Sequence, residues 1–390
     1  MKIKTNNSIM VSVVSLAIAI GLFIPTESFG RNPVIAVEKR DSNGDNRVSP
    51  KEWGKSKKIF DKIDDNGDGY ITAEEFAKKW GIPMPGKKTK KRTAADAGTL
   101  DESETIIADV HMHPHPDNHP VDVLTWMNRN GVKWAGNGAM MGGREVRELY
   151  AKVMGVRYIP FGGQSQLNQI FFEDGEEGLE NPDNHKFKEL MVMLREDFEA
   201  GKLKGIGEIF ANNSTTSKMD KLKRKMRVDA ATNRAMMDLV ADYGGVLSIH
   251  VQWDSDSVEQ LESLAKYNTK ANIIMAHCGS TSSAYDVRDI LKNNPNIYCD
   301  LSARHPPKLH SRLMQKKPEM KIFTSSGLVN SWKELIEEMP DRFMVGTDIK
   351  TENDYDKSIS TIRSGLLSNL SSQTAEKVAY RNAEVLLGLE

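Results

Sequence analysis

Eight short apolar, β-prone runs recur through most of the chain, and they limit its fold more than any other feature. They fall at residues 106–110, 132–135, 157–161, 205–210, 246–250, 272–277, 296–301 and 342–347. Amphipathic stretches with apolar residues at helical spacing separate most of them, among them 184–199 and 226–242. Strands alternating with helices predict an α/β protein, and eight such units predict a (β/α)8 TIM barrel over residues 104–390. A doubly wound open sheet is the structural alternative. The barrel makes a demand of its own: chemistry gathers at the C-terminal ends of the strands.

The first run ends in Asp109-Val110-His111-Met112-His113. Alternate residues of a strand share a face, so His111 and His113 point the same way. Strand four carries Glu208, strand five ends in His250, strand six in His277 and strand eight in Asp348. One such residue alone is more often a satisfied polar cap. Six of them at the right ends of five strands read as one site. Imidazole and carboxylate donors without thiolates suit Zn²⁺, with Mn²⁺ or Fe²⁺ as alternatives. Such an ion brings the pKa of water toward ~7. A carboxylate beside it takes the proton and passes it to a leaving group, and Asp348 is the candidate for that role. If Glu208 bridges, a second ion is held by His250 and His277. Arg304 and His305 would either meet an anionic substrate group or face water from a loop, and His115 and His119 would either line the mouth or belong to a solvated loop. Asp300 reads as a strand-end cap.

Two twelve-residue loops precede the barrel. Residues 64–75 place Asp64, Asn66, Asp68 and Thr72 at positions one, three, five and nine, with Gly69 at the sharp turn and Glu75 closing the loop. The main-chain carbonyl of Tyr70 falls at position seven. Ca²⁺ takes six to eight oxygens, and this spacing wraps them around one point. Residues 41–52 repeat the pattern with Asp41, Asn43, Asp45, Arg47, Ser49 and Glu52, but Asn46 replaces the turn glycine. Asn tolerates a left-handed backbone better than most residues, which predicts a surviving loop of weaker affinity. Val48 and Ile71 are predicted to pair as a β-bridge. Both loops resemble EF-hands, and together they are similar to the compact EF-hand pairs of exported bacterial proteins. The resemblance implies a calcium-binding α-helical module over 32–85. Its short central helix favours a structural or docking role over a sensor.

Lys2 and Lys4 precede an apolar run over 9–24, followed by Ser28 and Gly30 at the small-residue positions of a cut site. This describes a secretory signal peptide over 1–30, with Arg31 the first mature residue and no membrane attachment after cleavage. The alternative is an uncleaved anchor, but the run is short for a membrane span of ~20 residues. The protein is therefore expected to be exported, periplasmic or secreted. Cys278 and Cys299 are the only cysteines, too few for a disulfide framework, and read as buried free thiols. Residues 86–103, with the basic run 87–92, read as a flexible linker that leaves the two domains independent. A net charge of −1 gives no electrostatic footprint for nucleic acid, so the expected partner is a small-molecule substrate.

The set His111-x-His113, Glu208 in Gly-x-Gly-Glu-Ile, His250, His277 and Asp348 resembles the metal-dependent hydrolases of the amidohydrolase superfamily. Trp332, the run 340–348 and the closing stretch 380–389 are similar to its amidohydrolase-related branch. The resemblance implies a divalent metal held by His111, His113 and Asp348, with His250 a further ligand. It makes His277 a ligand or the partner of bound water, and so a catalytic candidate beside Asp348. Glu208 also resembles the metal-bridging residue of TatD-type nucleases, which leaves one ion or two. The branch implies hydrolysis of an ester, lactone or amide. Non-oxidative decarboxylation and a calcium-binding protein with an inactive barrel are the competing readings, and a nuclease is disfavoured by charge and export.

Overall fold

The computed structural model describes residues 33–38, 40–54, 56–80, 93–217, 220–309 and 320–390. The expected signal peptide and the basic run 87–92 lie outside the described residues. So do residues 32 and 81–85 of the expected calcium module.

Eight parallel strands carry the larger domain: β1 (Ile107–Asp109), β2 (Val132–Ala135), β3 (Phe161–Gly163), β4 (Gly205–Asn212), β5 (Val246–Val251), β6 (Asn272–Ala276), β7 (Ile297–Asp300) and β8 (Phe343–Met344). β3 to β8 pair in sequence order as one sheet, and β1 pairs with β2. Parallel bridges from Ala135 to Tyr158 and from Gly138 to Phe161 join β2 to the β3 segment. Past β8, the Val110 amide donates to the Val345 carbonyl at 3.2 Å, which carries the ring back to β1. Helices such as Pro120–Arg129, Ala231–Tyr243 and Ser255–Tyr267 follow the strands, so the fold is α/β with a parallel sheet wrapped by helices. β5 is buried at every residue and β6 at all but Asn272, because both faces are covered, one by the ring interior and one by helices.

Several boundaries differ from the pattern-based expectation. Arg157 belongs to a 3₁₀ turn (Gly155–Arg157), and its guanidinium donates to the Val132 and Lys133 carbonyls. The helix expected from 226 begins at Ala231, because residues 220–230 form a polar loop that passes over the end of β4. β6 stops at Ala276, so His277 lies in the turn beyond it.

Gly346 shows what brings the ends of the ring together. A Cβ there would stand 2.7 Å from the His111 Cβ and 3.0 Å from the Ser302 Cβ. Only glycine lets the chain after β8 pass that close to the end of β1.

The N-terminal module has its own core of Val37, Val48, Trp53, Phe60, Ile63, Ile71 and Phe76. Val48 and Ile71 form the expected antiparallel bridge, each amide donating to the other's carbonyl at 2.8 and 2.9 Å. Asn46 is left-handed at φ 62°, matching Gly69 at φ 85° in the second loop. Glu52 accepts from Ser42 with one oxygen and from Ser49 with the other, and Glu75 clamps Asp65 and Thr72 in the same way.

The expected linker is not flexible along its whole length. Ala94–Ala97 forms a 3₁₀ turn, and the buried Asn128 donates to the carbonyls of Ala97 and Gly98. Local composition could not foretell this, because Asn128 lies some thirty residues downstream.

Candidate metal centre

The six strand-end residues converge in one buried cluster. The Glu208 carboxylate stands at its centre. Its Oε1 lies 2.9 Å from His250 Nδ1 and 3.0 Å from His277 Nε2. Its Oε2 lies 3.4 Å from His111 Nε2 and 3.3 Å from His113 Nε2. Asp348 closes the rim with Oδ1 3.6 Å from His113 Nε2, while Lys308 holds its Oδ2 at 2.5 Å.

Each imidazole is aimed by a partner on its other nitrogen. His111 Nδ1 pairs with Asp300 at 2.9 Å, His113 Nδ1 donates to the Gly138 carbonyl at 2.8 Å, and His277 Nδ1 meets Ser302 Oγ at 2.7 Å. His250 presents Nδ1 to Glu208 and turns Nε2 toward Thr216 and Ser280, each at 3.3 Å. Such outer partners fix tautomer and ring orientation. The backbone is bent to the same end. His277 and Asp348 are left-handed at φ 56° and 55°, a conformation uncommon for residues other than glycine, where the chain turns off its strand into the mouth.

The residues fit a divalent cation. His111 Nε2 is buried without a hydrogen-bond partner. Three groups place their donor atoms within 4.8 Å of one another: His111, His113 and Glu208; Glu208, His250 and His277; and His111, His277 and Asp300. The electrostatics agree. Burial works against a protonated His111, yet Asp300 and Glu208 outweigh it and hold its pKa well above the ordinary imidazole value. Burial likewise opposes an ionised Asp300, but His111 above all brings that carboxyl down to about 2. A metal ion bound here would supply the counter-charge of these two buried carboxylates.

Asp300 is therefore more than a strand-end cap, since it orients His111. Gln164 was not foreseen. It follows β3, is buried, and points Nε2 at Glu208 Oε2 across 3.5 Å. No periodic signal marks a lone Gln after two glycines. Other expected site residues serve the scaffold. Arg304 is fully buried, donates to the Cys278, Ser282 and Met320 carbonyls, and stacks its guanidinium over Trp332. His305 bonds Ser358 at 2.7 Å and stacks on Phe323. His119 caps the helix Pro120–Arg129 by accepting from the Val121 amide, and His115 accepts from the Asp117 amide. Cys278 and Cys299 are buried free thiols.

Comparison with known proteins places this cluster in context. An amidohydrolase family model matches residues 192–389, more than half of the chain, and an EF-hand model matches residues 57–78. No curated protein matches. Solved structures similar to the chain include an uncharacterised TIM-barrel protein from Bordetella bronchiseptica, at 13% identity over 76% of this chain and 88% of that one, with a TM-score of 0.46. A zinc-bound amidohydrolase from Burkholderia multivorans is 14% identical over 73% of this chain and 100% of that one, with a TM-score of 0.43. A 2,6-dihydroxybenzoate decarboxylase from Rhizobium is 13% identical over 68% and 87%, with a TM-score of 0.37. The family model runs from the helix before β4 to the C-terminus and so takes in Glu208, His250, His277 and Asp348. The chain belongs to the amidohydrolase family.

Proposed function

We propose that the barrel is a metal-dependent hydrolase that cleaves a small-molecule ester, lactone or amide. The observation that carries this reading is the Glu208 carboxylate set between two histidine pairs, one oxygen to each, with Asp348 at the open rim. His111, His113, Glu208 and Asp348 would hold one divalent ion, Zn²⁺ or else Mn²⁺ or Fe²⁺. Glu208, His250 and His277 would hold a second. The ion supplies Lewis acidity toward the scissile carbonyl and lowers the pKa of water toward ~7.

The chain's own residues do the rest. Asp300, Gly138 and Ser302 hold the imidazoles so that little reorganisation is needed on binding. Asp348 Oδ1 takes a proton from water and delivers it to the leaving oxygen or nitrogen as the acyl bond breaks, while Lys308 steadies Oδ2. Phe210, edge-on to His250, and Leu309 supply apolar wall that limits water.

Plasma mass spectrometry on protein purified without chelator tests the reading, beside a His111→Ala/His113→Ala variant. The expected result is one or two equivalents of zinc, manganese or iron, lost in the variant while calcium is kept. Turnover of an ester, lactone and amide panel should fall by more than the roughly 10–100-fold cost of losing an outer partner. Calcium alone in both samples would overturn the reading. Release of CO₂ without hydrolysis would replace it by non-oxidative decarboxylation.

We also propose that the protein is exported, on the basic, apolar and small-residue sequence of its first 30 residues. The intact mass of the exported protein should begin at Arg31. We take the calcium module as structural, and expect turnover to be insensitive to calcium.

A further inference from the structure

Asp300 ends β7 and stands between β6 and β8 in the sheet. Cys299 pairs with Met275 on one side and with Phe343 on the other. The Asp300 side chain has no exposed surface, and its two oxygens divide the cluster between them. Oδ2 meets His111 Nδ1 at 2.9 Å. Oδ1 accepts from the amides of His277 and Ser302, at 3.2 and 3.1 Å, and from the Ser302 hydroxyl. The same hydroxyl oxygen lies 2.7 Å from His277 Nδ1.

A carboxylate oxygen only accepts, so these bonds fix where the ring protons sit. His111 donates to Asp300 and carries its proton on Nδ1. The Ser302 proton is spent on Asp300, so the Ser302 oxygen accepts from His277, whose ring proton is also on Nδ1. A metal ligand is a neutral imidazole, and its lone pair is then Nε2. Nε2 is the nitrogen that faces Glu208 in both residues, toward Oε2 from His111 and toward Oε1 from His277. His250 differs. Its outer nitrogen faces the hydroxyls of Thr216 and Ser280, which can donate or accept and so dictate neither tautomer.

We propose that Asp300 is a positioning residue shared by the two halves of the cluster. One buried carboxylate sets the metal-binding tautomer of His111 directly and that of His277 through Ser302. This deepens the metal-dependent reading above and rests on its metal centre. An amide at position 300 cannot serve both rings, because its NH₂ must face either His111 or Ser302. In the first case the His111 proton moves to Nε2. In the second, Ser302 donates to His277 and does the same there. Loss of the Ser302 hydroxyl disturbs His277 alone. Asp300 Oδ1 lies 3.9 Å from His277 Nδ1, too far to stand in for the serine.

Zinc competition against a chromophoric chelator tests this on the full chain, with wild type, Ser302→Ala, Asp300→Asn and the double variant. Each single change should weaken zinc binding about 10–100-fold. Independent losses would multiply in the double variant, whereas the relay predicts a loss within about three-fold of Asp300→Asn alone. Nitrogen NMR of zinc-loaded protein with isotope-labelled histidine reads the tautomers. Ser302→Ala should remove the Nδ1-bound proton signal of His277 and keep that of His111. Circular dichroism of each variant should match the wild type, so that lost positioning is told from lost folding. Multiplied losses, or a His277 signal unchanged by Ser302→Ala, would overturn the proposal. Zinc binding with the expected coupling but no turnover of any ester, lactone or amide keeps it and removes the hydrolase reading. A wild type that binds no zinc overturns both.

Discussion

The two ion-binding regions of this chain are built on opposite principles. The EF-hand loops carry their donors within twelve consecutive residues, and each loop is already shaped by its own short-range bonds. Asp64 accepts from the amides of Gly67 and Gly69, and Asp41 from those of Gly44 and Asn46. The barrel cluster draws its donors from positions 111 to 348 and from five strand ends. Any one donor is out of reach of the others until the ring has closed. A loop of the first kind tolerates change elsewhere in the protein, whereas a cluster of the second kind registers any loss of barrel packing.

Acid should separate the two regions most widely. His305 is buried, and burial pushes its pKa down to about 4. Its folded pKa lies below its unfolded value near 6.5. Its contribution is thus fully present above about pH 6.5 and is lost as pH falls toward 4, about 3 kcal/mol in all. Thermal unfolding of the wild type should lose that much more than His305→Asn between pH 7.5 and 4. The residues of the EF-hand loops include no histidine, and the bonds from Ser49 hold Glu52 down to about 2. A barrel as acid-tolerant as His305→Asn would remove this contrast.

Asp300→Asn should weaken transition-metal binding about 10–100-fold, since it removes the partner of His111 and leaves the metal-facing donors in place. Competition with a chelator reads this directly, and calcium content should not change. Glu75→Gln is the mirror experiment. It should cost the second loop about ten-fold in calcium affinity and leave zinc content and turnover untouched. A change in turnover would show that the two regions communicate. The smallest effect belongs to Asn46→Gly, which relieves the left-handed strain at φ 62°. It should tighten calcium binding by about 0.5 kcal/mol, read by titration against a calcium indicator.

Much of the fold was legible because apolar runs had the right length and spacing to be strands. Residues at strand ends could be named because an element's end is visible in the chain. Roles of loop residues were not legible. Arg304 and His305 look like anion binders in sequence, but the chain after β7 turns them inward, onto carbonyls and onto Ser358. Asp300 and Gln164 look unremarkable, yet both reach the cluster, because the end of β7 and the turn after β3 place them there. His277 was foreseen as a strand end, whereas its left-handed turn beyond β6 was not.

The sequence by itself determined the EF-hand loops, the strand and helix order, and the six strand-end residues that gather in the cluster. Those features are carried by local spacing, by the twelve-residue chelate and by alternation along a strand. Only the tertiary structure decided that Glu208 stands between two histidine pairs, that Asp300 aims His111, and that Ser302 links Asp300 to His277. The physical reason is that these relations are distances across a closed ring. No pattern along one strand encodes which residue of another strand will lie 3 Å away.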